Sequence, residues 1–151
     1  MFYFLGILIV VLDQVSKFAA VKYLKGKDPY IIIENFFQLC YVENRGAAFG
    51  ILQNRKFFFV VVTSVVIICI IFFLVKYSNN LNLLIKTGLI MLLGGAVGNF
   101  IDRIRLGYVI DFLSFRLGKS YDFPVFNVAD MFIVCGTILV MFLILTNKYE
   151  N

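Results

Sequence analysis

The segment FFFVVVTSVVIICIIFFLV, Phe57–Val75, decides the fold class: it is 19 residues long and carries no charge. Arg55 and Lys56 precede it and Lys76 follows it. About 20 apolar residues in a helix cross the hydrocarbon of a bilayer, and cations flanking such a run mark its ends. Three further runs read the same way. The spans predicted are about 2–23, 57–75, 83–104 and 128–146, all within one domain covering residues 1–151. The first is interrupted by Asp13 and Lys17; no basic cluster precedes it and no small-residue cleavage site follows it, which favours a retained helix over a cleaved signal peptide. The third contains Gly94-Gly95-Ala96, small residues that let helices approach closely.

Composition agrees with a membrane chain. Of the 151 residues, 62% are apolar or aromatic and only 15% are charged, too few charges to cover a soluble domain of this size. The net charge of +5 is distributed in short segments between the apolar runs, which favours anionic lipid head groups over nucleic acid as partners. There is no histidine, so Ser-His-Asp and Cys-His catalysis are excluded. Cys40, Cys69 and Cys135 are scattered, without metal-ligand or redox spacing, and no metal site or cofactor is expected.

Two connections are long. In the first, Lys25–Asn54, the runs Ile31-Ile32-Ile33 and Phe37–Val42 favour short strands. The second, Arg105–Asn127, mixes apolar and polar residues around Gly107, Gly118 and Pro124. The expected fold is therefore mainly α, four transmembrane helices with a small β-structure between helices 1 and 2.

With four spans, connections alternate between the two sides of the membrane. Asp13, Lys17, Asp102, Arg103, Asp111 and Asp130 all fall at one side, with Asn44, Arg45, Asn99 and Asn127. The other side has Lys76, Lys86, Lys148 and Glu150 among ordinary turn residues. Ionisable groups at membrane depth are costly unless paired or functional. Snorkelling to the interface accounts for Lys22, Lys25, Arg55 and Lys56, but an aspartate is too short to snorkel far.

Asp111, in Val109-Ile110-Asp111-Phe112, and Asp130, in Phe126-Asn127-Val128-Ala129-Asp130, have no spanning segment between them. Two carboxylates in a poorly solvated pocket share a proton, one serving as base and the other as acid. Such a pair hydrolyses a peptide bond without histidine, cysteine or metal. Asn99 and Arg103 lie four apart on one helix face; they suit contact with substrate or a carboxylate, and equally a structural amide beside a helix-end cation. Asn44-Arg45-Gly46-Ala47-Ala48-Phe49-Gly50 is a small-residue turn, ordinary when taken alone. Asp13 and Lys17, also four apart, read as an ion pair fastening helix 1. Ser16 beside Lys17 raises a Ser-Lys peptidase, although consecutive helix residues point about 100° apart. A transporter or assembly factor built on buried charges is the non-enzymatic alternative.

Taken together, these segments resemble the lipoprotein signal peptidase, or signal peptidase II, family. The matching stretches are Asp13–Lys17, Asn44–Gly50, Gly94–Arg103, Val109–Phe112 and Phe126–Asp130, in the family's order and without departure at the motif positions. The resemblance implies an aspartic endopeptidase of the bacterial inner or plasma membrane. It would remove signal peptides from diacylglyceryl-modified prolipoproteins, cutting before the lipidated cysteine. It implies Asp111 and Asp130 as the catalytic pair, with Asn44, Gly95, Asn99, Arg103 and Asn127 at positions lining the site and Asp13 and Lys17 in structural support. It also implies globomycin as an inhibitor lying across the pair, a monomer, an extracytoplasmic site and cytoplasmic termini. Charge counting points the other way. The site side carries Lys22, Lys25, Lys27, Arg45, Arg55, Lys56, Arg103, Arg105, Arg116 and Lys119 against Lys76, Lys86 and Lys148 opposite, and positive residues favour the cytoplasm.

Overall fold

A computed structural model of the chain describes residues 2–46, 55–117 and 121–148; the Ala47–Gly50 part of the small-residue turn lies outside them. Four long helices carry the fold: α1 (Phe2–Leu24), α2 (Lys56–Lys76), α3 (Leu83–Arg105) and α4 (Val128–Leu145). All four are long and apolar enough to span a membrane. Their outward faces carry Phe4, Ile7, Phe18, Phe57, Val65, Ile68, Phe72, Val134, Ile138 and Phe142, all exposed. In water such a surface would be a patch far beyond what a soluble monomer tolerates; against lipid it is the expected face.

The helices bury unequal amounts because their sequences differ. α2, the all-apolar helix, packs on α3 at the edge of the bundle and has Leu74 as its buried residue. α3 is the central element and touches each of the other three helices. Its buried residues include Ile85, Gly88, Leu89, Gly95, Ala96, Asn99 and Asp102, a spacing of three and four that lines one helical face. One end of that face is oily, where Ile85, Leu89 and Ile90 meet Leu74, Leu81 and Leu143. The other end is polar. Asn82 caps the oily end, its side chain accepting from Ile85 N at 3.1 Å, and Asn127 opens α4 in a reciprocal capping box with Asp130.

Glycines set the spacing of α3 and α4. A Cβ on Gly95 would lie 2.5 Å from the Ala129 carbonyl oxygen, and one on Gly136 would lie 2.7 Å from that of Gly88. With lipid on the outside there is no hydrophobic drive between helices, so close backbone contact supplies the association.

Strands β1 (Tyr30–Ile33), β2 (Phe37–Asn44), β3 (Val109–Leu117) and β4 (Tyr121–Asp122) form an antiparallel sheet in that spatial order. The β-structure expected between helices 1 and 2 is present as β1 and β2. It is enlarged by β3 and β4, which arise from the Arg105–Asn127 connection and had no clear strand pattern. For β3 the reason is burial on both sides: Val109, Ile110, Asp111 and Phe112 are all buried, so this strand does not alternate; β4 is only two residues long. β2 and β3 pair through Val42 with Asp111 and Asn44 with Val109. Phe126 then bonds back to β3, its N–H donating to the Leu113 carbonyl at 3.1 Å and its carbonyl accepting from Phe112 and Leu113. That return delivers Asn127 and the start of α4 to the side of Asp111.

Gly136→Ala is expected to destabilise the bundle by about 1–3 kcal/mol through overpacking against α3. Thermal unfolding of the purified protein in detergent measures it, and a melting temperature equal to wild type would contradict the close contact.

Candidate active site

A cavity of about 840 Å³ opens where the sheet meets α3 and α4. Its polar wall includes Asn44, Arg45, Asn99, Arg103, Asp111 and Asp130, and its apolar wall includes Phe123, Phe126, Met131, Ile133, Val134 and Cys135. Met131 and Val134 are also exposed at the bundle surface, so the cavity is continuous with a face of α4 that lipid covers.

Each carboxylate is held by amides. Asp111, on β3, is 1% exposed. Asn127 Nδ2 donates to its Oδ1 at 2.6 Å and Asn44 Nδ2 to its Oδ2 at 2.9 Å. Asp130, one turn into α4 and half-buried, accepts from Asn99 Nδ2 at 2.7 Å on Oδ1 and from Asn127 N at 3.3 Å on Oδ2. Burial, and then the nearby charge of Asp130, push Asp111 up to about 7, against the opposing pull of Asn44, Asn127 and Lys17. A carboxyl so placed is partly protonated near neutral pH.

Behind this pair lies a second polar cluster. Lys17 Nζ, 2% exposed, is 2.8 Å from Asp13 Oδ2, 2.9 Å from Asp102 Oδ2 and 2.9 Å from Asn99 Oδ1. Asp13 Oδ1 accepts from Ala129 N at 2.9 Å, and Asp102 Oδ2 accepts from Ile110 N at 3.2 Å. Gln14 Nε2 closes the cluster, donating to Asp102 Oδ1 at 3.0 Å and to the Gly98 carbonyl at 3.2 Å. These bonds tie α1 to α3, to β3 and to the first turn of α4. Among the described residues no buried side-chain polar atom lacks a partner, as a low-dielectric interior demands.

The residues singled out in the sequence divide in space. Asp111, Asp130, Asn44, Asn99 and Arg103 line the cavity, and Asn127 lies buried between the two carboxylates. Gly95 does not line it; it sits inside the α3–α4 contact, against Ala129 and Ile133. Asp13 and Lys17 are paired, and Lys17 reaches the site through Asn99. Arg103 lies over the Phe59 ring, 5.1 Å from its centre, and no carboxylate stands within ion-pair distance of it among the described residues. Ser16 Oγ donates to the Asp13 carbonyl at 2.8 Å, and the Lys17 ammonium is occupied by three oxygens, so a Ser-Lys couple is not formed.

Sequence reading passed over Gln14, Gly98 and the Asp102 bonds. A Cβ on Gly98 would fall 2.5 Å from Asp13 Oδ2, so this glycine makes room for a carboxylate. It also passed over the rim, where Glu43 gathers Lys25, Arg45 and the Tyr41 hydroxyl, each at 3.2 Å. The alternation of β2 was the available signal for that rim; nothing in sequence spacing pairs Glu43 with Lys25.

The chain is a four-helix bundle of membrane-spanning length with two carboxylates on one cavity. Over residues 5–146 the chain matches the family described as signal peptidase (SPase) II, and it belongs to that family. It is 51% identical to the lipoprotein signal peptidase of Caldanaerobacter subterraneus subsp. tengcongensis, over 91% of this chain and 90% of that one. It is 40% identical to the lipoprotein signal peptidase of Clostridium tetani, over 94% and 91%. Two solved bacterial membrane enzymes share its fold. One has a TM-score of 0.87 at 33% identity, covering 97% of this chain and 88% of its own. The other has a TM-score of 0.83 at 34% identity, covering 95% and 92%. The chain is thus a multi-pass membrane protein of a peptidase family.

Asn44 and Asn127 hold Asp111 down by donating to its charged form. Asn44→Ala is therefore expected to raise the pH at which Asp111 loses its proton. If the protonated form is the active one, the wild-type rate falls about tenfold per pH unit above roughly pH 7, and that limb moves to higher pH in Asn44→Ala. A pH–rate series on both proteins measures it; a limb that stays in place or moves down contradicts the assignment.

Proposed function

We propose that this chain is an aspartic endopeptidase that removes signal peptides from diacylglyceryl-modified prolipoproteins, cutting before the lipidated cysteine. The observation that carries the reading is the placement of Asp111 and Asp130 on one cavity, each fixed by amide donors, beside a helix face open to lipid. A substrate anchored by acyl chains presents its cleavage site near the membrane surface, and the cavity has a polar wall for peptide and an apolar wall continuous with the bilayer.

The chemistry follows from one shared proton. A water between the carboxylates gives a proton to the ionised one while its oxygen attacks the scissile carbonyl carbon. The protonated carboxyl gives its proton to the carbonyl oxygen, leaving a neutral tetrahedral diol. Collapse breaks the C–N bond, the amine leaves with a proton from the dyad, and the carboxyl product forms. No covalent intermediate with the protein is needed. Arg103 is the better donor to the substrate carbonyl, because the Asn127 amide hydrogens are already given to Asp111 and Asn99. Fixed donors aimed at developing charge are worth the most in such a site. Globomycin is expected to lie across the same two carboxylates.

The site is read as extracytoplasmic with both termini in the cytoplasm, since a translocated substrate must reach it. Three of the ten cations counted on the site side are paired among the described residues: Lys25 and Arg45 with Glu43, and Arg116 with Asp122. A topology reporter fused after Asn151 is expected to report the cytoplasm, and an extracytoplasmic signal overturns the orientation.

Asp111→Asn and Asp130→Asn are each expected to lower cleavage of a diacylglyceryl-modified prolipoprotein by at least about 10³-fold, while the protein still inserts and purifies as wild type. Cleavage near the wild-type rate in either variant removes the dyad.

A further inference from the structure

Three asparagines surround the two aspartates, and each must present its NH2 group, not its oxygen, to a carboxylate. An asparagine side chain is nearly symmetric in shape, so something must decide which way it faces. For Asn44 the decision is made by backbone: Gly46 N donates to its Oδ1 at 3.0 Å, leaving Nδ2 for Asp111. For Asn127 it is made by backbone again: Asp130 N donates to its Oδ1 at 2.9 Å, leaving Nδ2 for Asp111 and Asn99.

Asn99 has no such help. It lies well inside α3, where neighbouring backbone N–H groups are spent on the helix itself. Its Oδ1 is instead met by two side-chain donors, Lys17 Nζ at 2.9 Å and Asn127 Nδ2 at 3.2 Å. Reversing the amide would set NH2 against an ammonium and a second NH2, and would turn an oxygen toward Asp130. We infer that Lys17 is a positioning residue for the reaction: its buried ammonium, acting through Asn99, fixes the donor that Asp130 meets. This rests on the peptidase reading above and goes beyond fastening α1, which the Lys17–Asp102 ion pair and the bond from Ala129 N to Asp13 accomplish.

The surroundings explain why a lysine is used. Its charge is balanced by Asp13 and Asp102, which have further donors of their own in Ala129 N, Ile110 N and Gln14 Nε2. The ammonium has three hydrogens, and three oxygens receive them: one on Asp13, one on Asp102 and one on Asn99. A charged donor also holds Asn99 more firmly than a neutral one would.

The test separates positioning from folding by removing the ammonium together with one acid, so that the cluster keeps its net charge. In Lys17→Met/Asp102→Asn, the one amide oxygen of residue 102 can still accept from Ile110 N, and its NH2 then faces a Gln14 amide that can turn its oxygen to meet it; Lys17→Met/Asp13→Asn is the companion pair. Full-length protein in detergent is assayed on a synthetic lipopeptide bearing a diacylglyceryl cysteine, with melting temperature measured alongside. The expected result is a kcat lower by about tenfold or more at a KM within about twofold of wild type. Against an Asn99→Ala background the same pair should cost less than about twofold further, because the path through Asn99 is already cut. Equal losses in both backgrounds, an unchanged kcat, or failure of both pairs to yield folded protein would assign Lys17 to the fold alone and overturn the inference. Absence of cleavage by the wild-type protein would instead remove the peptidase reading on which it rests.

Discussion

An ammonium ion with almost no exposure to solvent sits between two aspartates at the polar end of a membrane bundle, and most of the polar architecture is arranged around it. Lys17 is stable there because Asp13 and Asp102 balance it and because every one of those carboxylate oxygens has a donor. Removing one partner from such a cluster leaves an uncompensated charge, at a cost of about 3–5 kcal/mol. The cluster therefore specifies how α1, α3 and α4 meet, and Gly98 is required because Asp13 occupies the space a side chain would fill. The catalytic candidates inherit their geometry from it: Asn99 is shared between the cluster and Asp130, and Asn127 between Asn99 and Asp111.

The two carboxylates on the cavity differ in their settings. Asp111 stands on a strand, enclosed by the sheet and by α4; Asp130 stands on a helix and faces the open cavity. Asp111 is the more enclosed of the two. The sheet supplies one and the bundle the other, so neither layer alone makes a site.

The sequence carried the bundle plainly, because 19 uncharged residues from Phe57 to Val75 and the runs around it leave little freedom in a bilayer. It also showed which polar residues share one end, since the alternation of sides follows from counting spans. It did not show β3 and β4. A strand covered on both faces loses the alternation that would reveal it, and Asp111 within that strand reads as an interruption. Nor did it show Gln14 and Gly98 in the ion cluster, because their partners lie more than eighty residues away. Gly95 was read as part of the site wall from its likeness to a family position; in space it is a contact between helices, one step behind the wall.

The bond from Ala129 N to Asp13 joins positions 116 apart in the chain, and it bears on the order in which the molecule is made. The first helix enters the bilayer long before the last one has been synthesised. In that interval Asp13 and Lys17, one turn apart on α1, can satisfy each other, so neither needs to enter the bilayer as an unpaired charge. Asp102 arrives with α3, and only the arrival of α4 brings Asp130 and completes the cavity. The cavity with both carboxylates is thus absent from every shorter nascent chain and forms when the final helix docks.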